Sequence, residues 1–113
     1  MRGDDAALLD ILNSARLAVE FVRGFNKAAF VGDARTHSAV LHQLLILGEA
    51  VKRLSREFRD AHPELPWRMM AGMRDNLVHE YDSVDLDEVW KTIQDDLPAV
   101  ISKLNSFIPG GNV

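Results

Sequence analysis

DARTHSAVLHQLLILGEAVKRLSREF, Asp33 to Phe58, decides the fold class of this chain. Val40, Leu41, Leu44, Leu45, Leu47, Val51 and Leu54 recur at steps of three and four, the period of a helix that buries one face. The spacing predicts one long helix beginning near Asp33 and running to about Phe58. Gly48 stands inside it. A helical glycine costs about 1 kcal/mol relative to alanine, so its presence predicts a close approach by another helix. Glu49, beside it in apolar surroundings, reads as a buried carboxylate in a structural ion pair with an arginine.

The same period extends in both directions. Upstream, Leu8, Ile11, Leu12, Ala15, Val19 and Val22 form a stripe, with Asp4 or Asp5 as its cap and Gly24 as its stop. A connector, roughly 25–32, carries Phe25 and Phe30, both expected to be packed. Downstream, Pro63 and Pro66 break helical geometry within HPELPW. A third helix then runs from about Pro66 through Trp67, Met70, Met73, Leu77 and Val78, fading near Tyr81 to Ser83.

Asp85 and Glu88 resemble a capping box for a last helix, striped by Leu86, Val89, Trp90, Ile93, Leu97, Val100, Ile101 and Leu104, with a kink expected at Pro98. No run alternates with period two. The reading is all-α: an up-and-down bundle of about four to five helices. Residues 1–108 are expected to form one domain, Gly110 and Gly111 to end its order, and 109–113 to be a disordered tail.

A chain of 113 residues has room for one core. None of its apolar runs nears the roughly 20 residues that span a bilayer. MRGDDAALLD places acids where a signal peptide needs an apolar stretch. With no cysteine, thiolate chemistry and Cys-type zinc sites are excluded. A cytoplasmic location is expected.

The net charge of −4 argues against an extended electrostatic grip on nucleic acid, but its distribution is uneven. Lys52, Arg53, Arg56, Arg59, Arg68 and Arg74 precede a segment dominated by Glu80, Asp82, Asp85, Asp87, Glu88, Asp95 and Asp96. Either a local basic surface meets a phosphate chain, or two solvated helix faces differ in sign.

RDNLVHEY, Arg74 to Tyr81, is the candidate site. Arginine offers a planar fork of donors to phosphate, and imidazole moves protons near neutrality. The competing reading makes Arg74 a solvated surface residue and His79 a helix-end residue favoured by the dipole. Five residues place Arg74 and His79 about 140° apart around a helix, whereas Arg74 and Tyr81, seven apart, nearly align. The pair converges only if the helix loosens before His79 or if a second copy contributes its own residues, so the spacing favours a dimer-interface site.

The remaining histidines are weaker candidates. His37 and His42 lack the spacing of a helical metal pair, so no metal is expected there. His62, before Pro63, is expected to be solvated. Trp67, Met69, Met70 and Met73 read as core or interface packing, not as a base-stacking platform. No glycine-rich phosphate loop is present, so no cofactor is expected.

Arg74 to Tyr81 fits R-x-x-x-x-H-x-Y, and with ILGEAVKRLS (Ile46 to Ser55), PWRMMAGMRDNLVHEY (Pro66 to Tyr81) and VDLDEVWKTIQDDLP (Val84 to Pro98) the chain resembles HepT-like proteins of the HEPN superfamily, small helical ribonucleases. The resemblance implies a metal-independent RNA endonuclease, the toxin of a type VII-like toxin–antitoxin pair. It implies a homodimer whose motifs meet in a cleft, with Arg74 and His79 catalytic and Asp75 and Asn76 supporting them. It also implies an MntA-like nucleotidyltransferase partner that transfers AMP from ATP to Tyr81. The acidic balance keeps an alternative open: a non-catalytic regulatory subunit that holds nucleotide or phosphate and binds the nucleotidyltransferase. A ligand-free helical dimer is a third reading.

Overall fold

The computed structural model describes residues 2–107, and among them every regular element is helical. Helix α1 (Arg2–Phe21) leads through a turn at Gly24, whose φ of +81° suits a residue without Cβ, into the short α2 (Lys27–Gly32). Then come α3 (Ala34–Arg53), α4 (Arg56–Ala61) and α5 (Trp67–His79). A 3-10 turn (Tyr81–Ser83) precedes α6 (Leu86–Lys91), which continues through a π-helical segment (Thr92–Asp96) into α7 (Leu97–Asn105). The expected tail, 109–113, with its Gly110–Gly111 pair, lies outside the described residues.

The stripes read from the sequence face one another. Helix α3 packs along α1 on one side and α5 on the other, and α7 closes against α1. Ile11, Leu12, Val40, Leu44, Leu47, Met70, Leu97 and Leu104 are fully buried. Each such side chain contributes about 1.5–3 kcal/mol by leaving water. The Cα radius of gyration, 13.7 Å, matches the roughly 13 Å of a globule of this length.

Three elements differ from expectation. The helix read from Asp33 to Phe58 is two helices. Leu54 and Ser55 are extended, and Ser55 Oγ accepts the Phe58 N–H to cap α4. Asp4 holds that break open. It is 5% exposed, and its carboxylate accepts both the Ser55 N–H and hydroxyl at 2.8 Å. A side chain that satisfies these groups competes with the helical ladder. Asp4 is thus turned to the α3–α4 corner, and neither it nor Asp5 caps α1, which already begins at Arg2.

The connector at 25–32 is partly helical. Asn26 caps α2, and Phe30 is buried against Trp90, with ring centroids 5.4 Å apart. The disturbance expected at Pro98 takes the form of the π segment, which ends just before Pro98 enters the first turn of α7. A proline ring crowds the carbonyl four residues back, here Gln94, within that segment. His62, expected to be solvated, instead lies between Phe58 and Phe107, 4.4 Å from each ring.

Candidate active site

Gly48 sets the site. It is buried where α3 crosses α5, and a Cβ there would overlap Arg74 Cβ and come within 2.9 Å of the Met70 carbonyl oxygen. The close approach foreseen from a helical glycine is therefore the contact that brings α3 beneath Arg74. One residue on, Glu49 Oε1 accepts from Arg74 Nε at 2.6 Å. One turn on, Lys52 Nζ donates to Asp75 Oδ1 at 2.6 Å, and the same oxygen accepts from Arg74 Nη1 at 3.1 Å. Glu49 does pair with an arginine, but it is not buried: its side chain is 45% exposed, against 25% for Arg74.

The electrostatics follow from this chain of contacts. The hydrogen bond to Glu49, then that to Asp75, holds Arg74 above the usual guanidinium value, against a smaller opposing effect of burial. Asp75 lies below the usual carboxylate range, chiefly through the Lys52 hydrogen bond and next through Arg74. Arg74 is thus a fixed cation with two of its donor groups engaged. Among the described residues its Nη2 has no partner, which leaves that group and the second N–H of Nη1 to donate to phosphate oxygens.

His79 differs in every respect. It is the last residue of α5, it is exposed, and among the described residues it has no hydrogen-bond partner. The helix does not loosen before it; the backbone leaves helical geometry only at Glu80, whose N–H still bonds Asn76. Arg74 and His79 therefore keep their separation of about 140°, with about 7.5 Å of rise between them. A single chain does not bring them to one point. The near-alignment of Arg74 with Tyr81 is lost too, because Tyr81 begins the 3-10 turn, where it is 48% exposed.

Asp75 and Asn76 both line a cleft of about 650 Å³ between α5 and α6, alongside Glu80, Ser83, Asp85 and Glu88. Asp75 also lines a second groove toward α4. Of the supporting pair, Asp75 bonds Arg74 and Asn76 does not. Lys52 is the site residue that sequence reasoning missed. Its signal was available: Gly48 and Lys52 are four apart on α3 and share the face that Gly48 marks as the α5 contact.

The family model described as Ribonuclease HepT-like matches residues 11–107. A protein of Thermococcus cleftensis named "Probable ribonuclease HepT" is 43% identical over 88% of this chain and 91% of its own length. A "Putative RNase" of Caldanaerobacter subterraneus subsp. tengcongensis is 38% identical over 87% of this chain and 88% of its own. In Methanocaldococcus jannaschii, a protein named as a gamma-glutamylcyclotransferase and putative RNase is 35% identical over 87% of this chain, which spans 45% of that longer protein. No solved structure matches. This helical chain, matched by the family model over 97 residues and by relatives over most of their length, belongs to the HepT-like ribonuclease family.

Proposed function

We propose that this protein is a metal-independent RNA endonuclease whose cleavage site forms between two copies of the chain. One observation carries the reading: Arg74 is anchored as a cation by Glu49 and Asp75, while His79, about one and a half turns on, is left exposed and unpaired. The names of the relatives, ribonucleases in each case, point to the same chemistry. Because one chain holds the two side chains apart, a second copy supplies the missing partner to each.

In this scheme a neutral His79 accepts the proton of a ribose 2′-hydroxyl, and the 2′-oxygen forms a bond to the adjacent phosphorus. The phosphorus–5′-oxygen bond breaks, and the leaving oxygen takes a proton from the protonated His79 of the second copy. Arg74 stabilises the charge that builds on the non-bridging oxygens. The products are a 2′,3′-cyclic phosphate and a 5′-hydroxyl. Glu49 and Asp75 hold the guanidinium, Lys52 in turn holds Asp75, and Asn76 lines the adjoining cleft.

The biological setting is that of a toxin of a type VII-like toxin–antitoxin pair, acting in the cytoplasm. The antitoxin is an MntA-like nucleotidyltransferase. The Tyr81 phenol oxygen attacks the α-phosphorus of ATP, pyrophosphate leaves, and an AMP anion then stands two residues from His79, where it repels RNA phosphate. The exposure of Tyr81 supports this step, because the enzyme must reach its oxygen.

The test is purified protein with RNA in the presence of chelator. Cyclic-phosphate products that vanish with Arg74→Ala and with His79→Ala are the expected result; undiminished cleavage by either variant rejects the assignment. The acidic charge favours one second reading, a regulatory subunit that binds nucleotide and the nucleotidyltransferase without cutting RNA. Intact RNA together with stable capture of the nucleotidyltransferase would select it.

A further inference from the structure

Three of the basic side chains near the site are already neutralised. Lys52 pairs with Asp75, Arg53 with Asp10 and Arg74 with Glu49 and Asp75. Arg56, Arg59 and Arg68 are not: among the described residues none of the three has a hydrogen-bond or carboxylate partner, and the Nε of Arg59 is buried without one. All three line one open groove of about 950 Å³ between α4 and the start of α5.

A buried N–H group without a partner costs free energy, and unpaired guanidinium groups brought together repel one another. Three such cations in one groove, within a chain of net charge −4, are a local concentration of positive field that the molecule's own acids do not cancel. Asp60, exposed on the same wall, offsets at most one of them.

The groove also has a direction. Its far end is Asp75, the carboxylate that holds Arg74. Arg68 and Asp75, seven residues apart on α5, lie on nearly the same face, about 10 Å apart along the axis. A polyanion seated on Arg56, Arg59 and Arg68 therefore extends toward the Arg74 guanidinium. Trp67, the aromatic residue of this wall, is buried and gives its indole N–H to the His62 carbonyl at 2.9 Å, so it presents no face on which a base would stack.

We propose that this groove is a phosphate track: Arg56, Arg59 and Arg68 grip the backbone of single-stranded RNA and lead it to Arg74, without reading its bases. The proposal rests on the ribonuclease reading and adds to it the path and the sequence tolerance of the substrate. Backbone contacts position a nucleic acid without selecting its sequence, and each contact releases counterions.

Binding is tested apart from cleavage, in the His79→Ala protein, by fluorescence anisotropy of a labelled single-stranded RNA across a salt series. Relative to that background, the further changes Arg56→Gln, Arg59→Gln and Arg68→Gln together weaken binding by about tenfold or more at low salt and flatten the plot of log affinity against log salt by about two. Arg56→Gln with Arg68→Gln, both at exposed positions, gives a flattening of about one and a half and covers the event that losing Arg59 impairs folding. The control removes three cations outside the groove, by Arg35→Gln, Lys91→Gln and Lys103→Gln, and leaves binding within about twofold.

Equal losses in the groove and control variants overturn the track, as does unchanged RNA affinity with lost binding to the nucleotidyltransferase. Absence of cleavage by the wild-type protein, with groove-dependent binding intact, overturns the nuclease reading and leaves the track standing. Oligomers of different sequence bind the groove alike; a preference greater than about tenfold for one of them sinks the claim that bases go unread.

Discussion

The middle of α5 and its C-terminal end teach opposite lessons. Around Arg74, α3 and α5 meet at a glycine, and Glu49, Asp75 and Lys52 fix the guanidinium. Around His79 the helix stops, the side chains of His79 and Tyr81 are exposed, and the backbone passes into a 3-10 turn. The difference matches what each group would do in catalysis. A donor fork is useful only in a set orientation, because its advantage over a point charge is geometric. A proton carrier and a modifiable phenol are useful only if substrate and partner reach them. A side chain held by partners in mid-helix and an accessible one at the helix end stand on the same element.

Four experiments break or sharpen this contrast. The largest effect is on catalysis. His79→Ala lowers the cleavage rate by about 10²–10⁴-fold while the melting temperature stays within a few degrees, whereas Arg74→Ala lowers both, since it leaves Glu49 without its cation and Asp75 with Lys52 alone. Equal melting losses in the two variants would erase the distinction between a locked mid-helix residue and an open helix end. Thermal melts alongside single-turnover rates measure it.

Next comes Gly48→Ala. The new methyl meets Arg74 Cβ and the Met70 carbonyl, one of them backbone, so relief requires the helices to separate. The expected loss is about 1–3 kcal/mol in urea unfolding, with a fall in cleavage as Arg74 moves away from Glu49. Unchanged stability would mean that the crossing is looser than described.

Ser55→Ala follows. It removes the cap of α4 and one of two hydrogen bonds to buried Asp4, at an expected cost of about 0.5–2 kcal/mol at pH 7. The Ser55 backbone N–H, then its hydroxyl, lowers Asp4 below the ordinary carboxylate value. A carboxylate lowered on folding adds stability that is present above its unfolded value, about 3.9, and is lost as pH falls toward the folded value. Asp75, lowered through Lys52 and Arg74, acts in the same direction. Urea melts between pH 6 and pH 2.5 therefore show falling stability in the wild type, and a gentler fall in Ser55→Ala. Identical acid slopes would remove the Asp4–Ser55 contact from this account.

The smallest effect is expected at Tyr81. Tyr81→Phe leaves stability within about 0.5 kcal/mol and cleavage unchanged, yet abolishes AMP transfer by the nucleotidyltransferase with ATP. Intact-mass measurement reads it; AMP still attached to the Phe variant would move the modification elsewhere.

Much of this architecture is legible locally. The stripes of α1, α3, α5 and α7 are written in steps of three and four, and burial at Leu12, Leu44, Met70 and Leu104 follows from them. Gly48 announced a close helix contact because nothing else compensates for glycine in mid-helix. The end of α5 was legible too, since EYDSVD offers no apolar stripe to continue it. The split at Leu54–Ser55 was not, because its cause, Asp4, is 51 residues away. Nor was the half-buried ring packing of His62, which depends on Phe107 arriving from the other end of the chain.

The sequence alone determined that this protein is a bundle of helices, that one of them must touch another at Gly48, and that Arg74, His79 and Tyr81 share a short segment. Those properties depend on residues within one or two turns of each other. Only the tertiary structure decided that Glu49 and Lys52 reach across to Arg74 and Asp75, that the two catalytic candidates point apart within one chain, and that three arginines without a partner among the described residues line one groove with Asp75. Such contacts depend on how each helix is rotated against its neighbour, and that rotation is set by the whole core packing at once.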